Sequence, residues 1–325
     1  MAVLTFTRLA MSNDVTTIGK RSSTSSNQNV SRWFKKNNHG NRLLTLVLFL
    51  PPALLLFTIF VILPIGEAGY YSLFRWNGYG EPSQWVEFSN YVRLFKHGAF
   101  DTAVWNTFKI ILISLVIQLP LALIIALSIY KKSWANSLFR LIFFLPYILA
   151  EVAAGLIWRF VFDGDYGVMA KFTEALNTDT WYILADKNWA FVAILVVLVW
   201  KYFGFHMMIY IAALQGVPKD LIEASKLDGA SRFQAIWYVK IPLIMSGITI
   251  SIFFSILGAL QTFDLIMPLT GGGPSNSTHT LVSYLYTFGI TRMNVGFGSA
   301  VGVVLFICCV IFAFTYQSTI MKDKK

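Results

Sequence analysis

Six apolar runs, each about as long as a bilayer is thick, decide what this chain can fold into. They fall at 43–65, 106–130, 139–162, 189–213, 243–267 and 295–317. A helix needs ~20 predominantly apolar residues to cross the hydrocarbon core. Backbone groups in lipid find no water, so such a run is stable only as a helix that pairs its own N–H and C=O groups. Polar residues flank every run, as in a multi-pass membrane protein. Composition agrees, with 56% hydrophobic and 13% charged residues, where a soluble domain carries about 25% charged residues. The expected class is all-α integral membrane, with six spans.

Charge orients the spans. Of the 26 Lys and Arg residues, seventeen fall in 1–42, 131–140, 214–241 and the C-terminus, and six in 66–103, 163–187 and 268–293. Loops left in the cytoplasm keep the positive excess, so both termini are expected there. The net charge of +10 is then topological, which argues against nucleic acid as a partner. The outer 163–187 segment instead collects Asp163, Asp165, Glu174, Asp179 and Asp186. Residues 1–42 read as a flexible, basic cytoplasmic tail near anionic lipid, 43–317 as the transmembrane domain and 318–325 as a cytoplasmic C-terminus. The first run starts after Arg42 and is long enough to remain as a span, not a cleaved signal. Pro51 and Pro52 interrupt it and Pro64 lies at its end, where a kink or loosened turn is expected.

Residues 217–242 are polar but lie between two spans. Pro218 suits a helix start. Asp220 and Glu223 lie near the positive end of that helix dipole. Asp228-Gly229 is a turn dipeptide, and Gly229 can take backbone angles closed to other residues. Ser231 followed by Gln234 has capping-box spacing and starts a second helix. Two short helices at an angle are expected, with the small residues Ala224, Ser225, Gly229 and Ala230 at the bend and Pro242 opening the next span.

This segment resembles the Glu-Ala-Ala loop of bacterial ABC importer permeases. Glu223, Ala224, Gly229 and Pro242 match that pattern, while Ser225, Val239 and Ile241 replace its second Ala, its Ile and its Leu. A second likeness is to the maltose-type carbohydrate permeases. It rests on Asn90, Tyr91, Leu94 and Phe95, on Asn106-Thr107, on Leu145-Pro146-Tyr147, and on Leu269-Thr270-Gly271-Gly272-Gly273-Pro274. The resemblance implies the type I ABC importer permease fold, with 217–242 as a cytoplasmic coupling helix docked on an ATPase. It assigns Glu223, Ala224, Ser225, Asp228 and Gly229 to that contact, with Glu223 as the ionic group. It implies a bacterial inner-membrane protein that works with a homologous second permease, two ATPase subunits, a periplasmic solute-binding protein and an oligosaccharide cargo. No cofactor is expected in this chain, because ATP and Mg would be bound by the ATPase partner.

The residues exclude some chemistry directly. Gly19-Lys20 is the nearest approach to a phosphate-binding loop, but Asp14 replaces its first Gly and Arg21 follows the Lys. No Cys or His cluster has metal-ligand spacing, and Cys308 and Cys309 are neighbours that point ~100° apart on a helix. Polar groups at membrane depth are costly and so are functional candidates. They are Glu151, Lys201, His206, Gln261 and Asp264, joined by the aromatics Tyr202, Phe205 and Phe263. Of these, Lys201, Tyr202, Phe205 and the Gln261–Asp264 stretch match the family's substrate path. Lys201 and His206 suggest an acidic, alginate-type oligosaccharide. The structural alternative for Glu151 is an ion pair with a base on a neighbouring helix. An ion-gradient-driven secondary transporter is the alternative, and Glu151 and Asp264 are its support.

Overall fold

The computed structural model describes residues 45–321. The reading of 1–42 as a flexible tail lies outside the described residues. The described residues up to Pro64 and those from Ile65 belong to two separate units.

Helix α1 runs over Thr45–Tyr71. A two-stranded antiparallel ribbon follows, β1 (Phe74–Arg75) with β2 (Gln84–Trp85), pairing Phe74 with Trp85. Next come α2 (Ser89–Phe95), α3 (Gly98–Ile129), α4 (Trp134–Ile148), α5 (Glu151–Val161), α6 (Val168–Ala175) and α7 (Lys187–Gln215). The chain continues through α8 (Lys219–Leu227), α9 (Arg232–Leu243), α10 (Met245–Gln261), α11 (Ile266–Thr270), α12 (Leu281–Thr291) and α13 (Val295–Ile320).

Four of these helices, α1, α3, α7 and α13, are each long and apolar enough to cross a membrane. The expected third and fifth spans are not single helices. The third bends by 96° between α4 and α5; the fifth is the shorter α10 followed by α11, and it meets α9 at a 68° bend where the expected span begins. At the first break Leu149 and Ala150 are extended, with ψ of 138° and 139°.

Proline explains a recurring irregularity. Wide π-helical turns occupy Thr58–Ile62, Ser114–Gln118 and Ile236–Lys240. Each ends two residues before a proline: Pro64, Pro120 and Pro242. Proline brings no N–H and its ring crowds the carbonyl four residues back. Widening the preceding turn relieves that clash while the helix continues. The rule is partial: α1 runs through Pro51 and Pro52 with no widened turn before them, and the turns at Tyr286–Thr291 and Gln317–Met321 widen with no proline following.

Helix α7 is the centre of the second unit. Its N-terminal half packs Phe191, Ile194, Val197 and Leu198 against Ile110, Ala154, Leu265, Ile266 and Leu269. Its C-terminal half packs Phe203, Met207, Tyr210, Ile211 and Leu214 against Ala122, Ala126, Ile129 and Ile244. A third cluster joins Leu94, Phe100 and Ala103 to Tyr284, Phe288, Phe297 and Val301. Buried asparagines fix the loops beside it. Asn90 donates to the Ser72 and Phe74 carbonyls at 2.8 and 2.9 Å. Asn106 donates to those of Ser277 and His279 at 2.7 and 3.0 Å.

Candidate functional site

The break between α4 and α5 builds one site. It places Tyr147 in the last turn of α4 and Glu151 in the first turn of α5. A carboxylate there is favoured by the positive end of the helix dipole. Glu151 accepts a hydrogen bond from the Tyr202 hydroxyl on α7. Its partner is thus a phenol, not the base expected from a neighbouring helix.

These residues open onto a cavity of about 530 Å³. From α3 come Ser114 and Gln118, out of the π turn before Pro120; from α7 come Tyr202, Phe205 and His206; Phe254, Ser255 and Gln261 come from α10, and Asp264 lies just beyond it. One wall is aromatic. Tyr147 stacks on Phe205 with ring centroids 4.8 Å apart, and Phe254 meets Phe205 edge-on at 6.0 Å. The polar wall holds unpaired atoms. His206 Nδ1 and Ser255 Oγ are buried without a hydrogen-bond partner.

Of the substrate-path candidates, Tyr202, Phe205, His206, Gln261 and Asp264 line this cavity. Two do not. Lys201 is 1% exposed and turned away, its ammonium donating to the Leu149 carbonyl at 2.6 Å and to that of Pro146 at 3.4 Å. It caps the carbonyl end of α4 instead. Phe263 packs on Tyr286 instead, with ring centroids 5.1 Å apart. Residue type alone overlooked Ser114, Gln118, Tyr147 and Phe254. Pro120 is the signal that could have found Gln118, since a π turn before it sets that side chain.

The second site is the 217–242 segment. Helix α8 starts after Pro218 with Asp220 in its first turn and Lys226 in its last. It ends with Asp228 N–H bonded to Ala224 O and Gly229 N–H to Lys226 O, both at 3.0 Å. Gly229 has φ +81°, the left-handed region that side chains disfavour. Ala230 N–H closes the turn on Ser225 O at 3.0 Å. Ser231 then caps α9 through a full capping box with Gln234. Glu223, Ala224, Asp228 and Gly229 are exposed and Ser225 is partly so. Leu227, at the tip, is 90% exposed.

A broken-helix bundle with a mid-bundle cavity and a polar helix–turn–helix between spans defines a membrane permease. Residues 118–320 match the model of the family described as binding-protein-dependent transport system inner membrane component, and the chain belongs to that family. It is 34% identical over 280 residues to the sulfoquinovosyl glycerol transport system permease protein SmoG of Agrobacterium fabrum, covering 85% of this chain and 89% of that protein. It is 31% identical over 278 residues to the diacetylchitobiose uptake system permease protein NgcF of Streptomyces coelicolor, covering 82% and 79%. The fold is similar to a chain in the crystal structure of a bacterial ABC transporter that imports the acidic polysaccharide alginate. That likeness has a TM-score of 0.77 and 22% identity, over 90% of this chain and 99% of the other.

Proposed function

We propose that this chain is a transmembrane subunit of an ATP-driven importer that takes an oligosaccharide from an external binding protein across the inner membrane. The observation that carries the reading is the exposed turn at Leu227–Gly229 between two short capped helices. A leucine left in water at the tip of a polar element suits a partner's cleft. Glu223, one turn back, supplies the charge that a basic group in that cleft would meet. ATP and Mg would sit in the ATPase subunits, and a second permease would complete the path. Both termini would lie in the cytoplasm.

The cavity supports a sugar as cargo. Sugars offer hydroxyls for polar side chains and C–H faces for aromatic rings, and the wall described above has both. The names of the relatives, uptake systems for sulfoquinovosyl glycerol and diacetylchitobiose, favour a sugar and leave its charge open. Of the two residues that suggested an alginate-type cargo, His206 lines the cavity and Lys201 does not. The ion-gradient alternative rested on Glu151 and Asp264, and Glu151 is already engaged by Tyr202.

The test is ATP hydrolysis by the reconstituted transporter, with and without binding protein and oligosaccharides, beside Glu223→Ala and Leu227→Asp. Sugar-stimulated hydrolysis that both variants reduce at least tenfold supports the proposal. Uptake that follows an ion gradient and ignores ATP overturns it.

A further inference from the structure

The geometry points to an uncharged oligosaccharide as the cargo, with Glu151 and Asp264 turning away sugars that carry a carboxylate or sulfonate. This rests on the reading of the 530 Å³ cavity as the cargo path. Among the described residues, Glu151 and Asp264 line that cavity and no Lys or Arg does. The nearby cation, Lys201, is bonded to the Leu149 and Pro146 carbonyls and reaches Glu151 only as a Coulombic neighbour that offsets part of its charge. An anionic sugar would therefore face like charge in a cavity walled by protein, where the interaction is screened less than in water.

Hydrogen-bond capacity points the same way. A carboxylate only accepts, so Asp264, and Glu151 beyond its bond from Tyr202, can pair with a sugar hydroxyl but not with a uronate carboxylate. The Tyr147–Phe205 stack supplies an apolar face for the C–H side of the ring.

The experiment is uptake by the complete transporter with its binding protein in proteoliposomes. The probes are three neutral trisaccharides (maltotriose, cellotriose and N-acetylated chitotriose), an alginate trisaccharide and a glucosamine trisaccharide. Wild type is compared with Glu151→Gln and, separately, Asp264→Asn, which keep side-chain shape and remove charge. The expected result is uptake of a neutral probe at least tenfold faster than the alginate probe, with that ratio falling severalfold or more in one or both variants. Three results overturn the proposal: equal or faster uptake of the alginate probe, a tenfold preference for the cationic glucosamine probe, or a ratio that neither variant moves. If no probe is taken up and none stimulates ATP hydrolysis, the sugar-importer reading itself fails.

Discussion

Lys201 donates a hydrogen bond to the Leu149 carbonyl at 2.6 Å, spanning 52 residues of sequence. The bend between α4 and α5 strips the last carbonyls of α4 of their helical donors. An ammonium is suited to that negative end. The lysine thus holds open the break that carries Tyr147 and Glu151 to the cavity. Replacing it leaves buried carbonyls unsatisfied, which costs ~1–3 kcal/mol. Lys201→Met should lower the thermal unfolding midpoint of the purified transporter and slow uptake, and Lys201→Arg should restore part of both. An unchanged midpoint in Lys201→Met would remove this role.

Helices α4 and α7 touch at Gly204. A Cβ there would overlap the Phe143 carbonyl oxygen, which is backbone and cannot swing aside. Gly204→Ala must push the two helices apart, and overpacking of this kind costs ~1–3 kcal/mol. The neighbouring Tyr147–Phe205 stack should loosen with it. The expected outcome is a lower unfolding midpoint together with weaker cargo-stimulated ATP hydrolysis.

Gly229 presents the opposite case. Nothing lies within 4 Å of a Cβ built on it, so its constraint is the φ of +81° alone. Alanine in the left-handed region costs ~1–2 kcal/mol, while asparagine tolerates it better. Gly229→Ala should therefore impair stimulated ATP hydrolysis more than Gly229→Asn does. Equal activity of the two variants would count against a conformational role for this position.

His279 ties stability to pH. Burial, and then the nearby Arg292 guanidinium, push its imidazole down to about 4 from 6.5. The ring contacts Ser283 through Nδ1 at 3.1 Å and Phe288 edge-on. Between pH 4 and 6.5 the unfolded chain binds more protons at this site than the folded one, so stability rises with pH across that window. Its contribution is complete above 6.5 and is lost as pH falls toward 4. Unfolding midpoints should fall over that range in wild type and fall less in His279→Gln.

Much of this could be read from the chain without its structure, wherever the cause is local. Apolar length marked the four helices long enough to cross a membrane, α1, α3, α7 and α13. Pro218, Gly229 and the Ser231–Gln234 pair specified the helix–turn–helix, because capping and left-handed turns depend on residues within a few positions. The proline-linked π turns obey the same local rule, although their shape emerged only in the fold.

Direction was what the sequence withheld. Lys201 and Tyr202 are neighbours in the chain, yet one caps α4 and the other faces the cavity. Adjacent side chains on a helix diverge by ~100°, and which of them meets cargo depends on the helices packed around α7. Neither the 96° break nor the meeting of Gln118, Tyr147, Glu151 and Phe254 follows from any local pattern. Those were decided by contacts between residues far apart in sequence, where packing and burial outweigh local propensity.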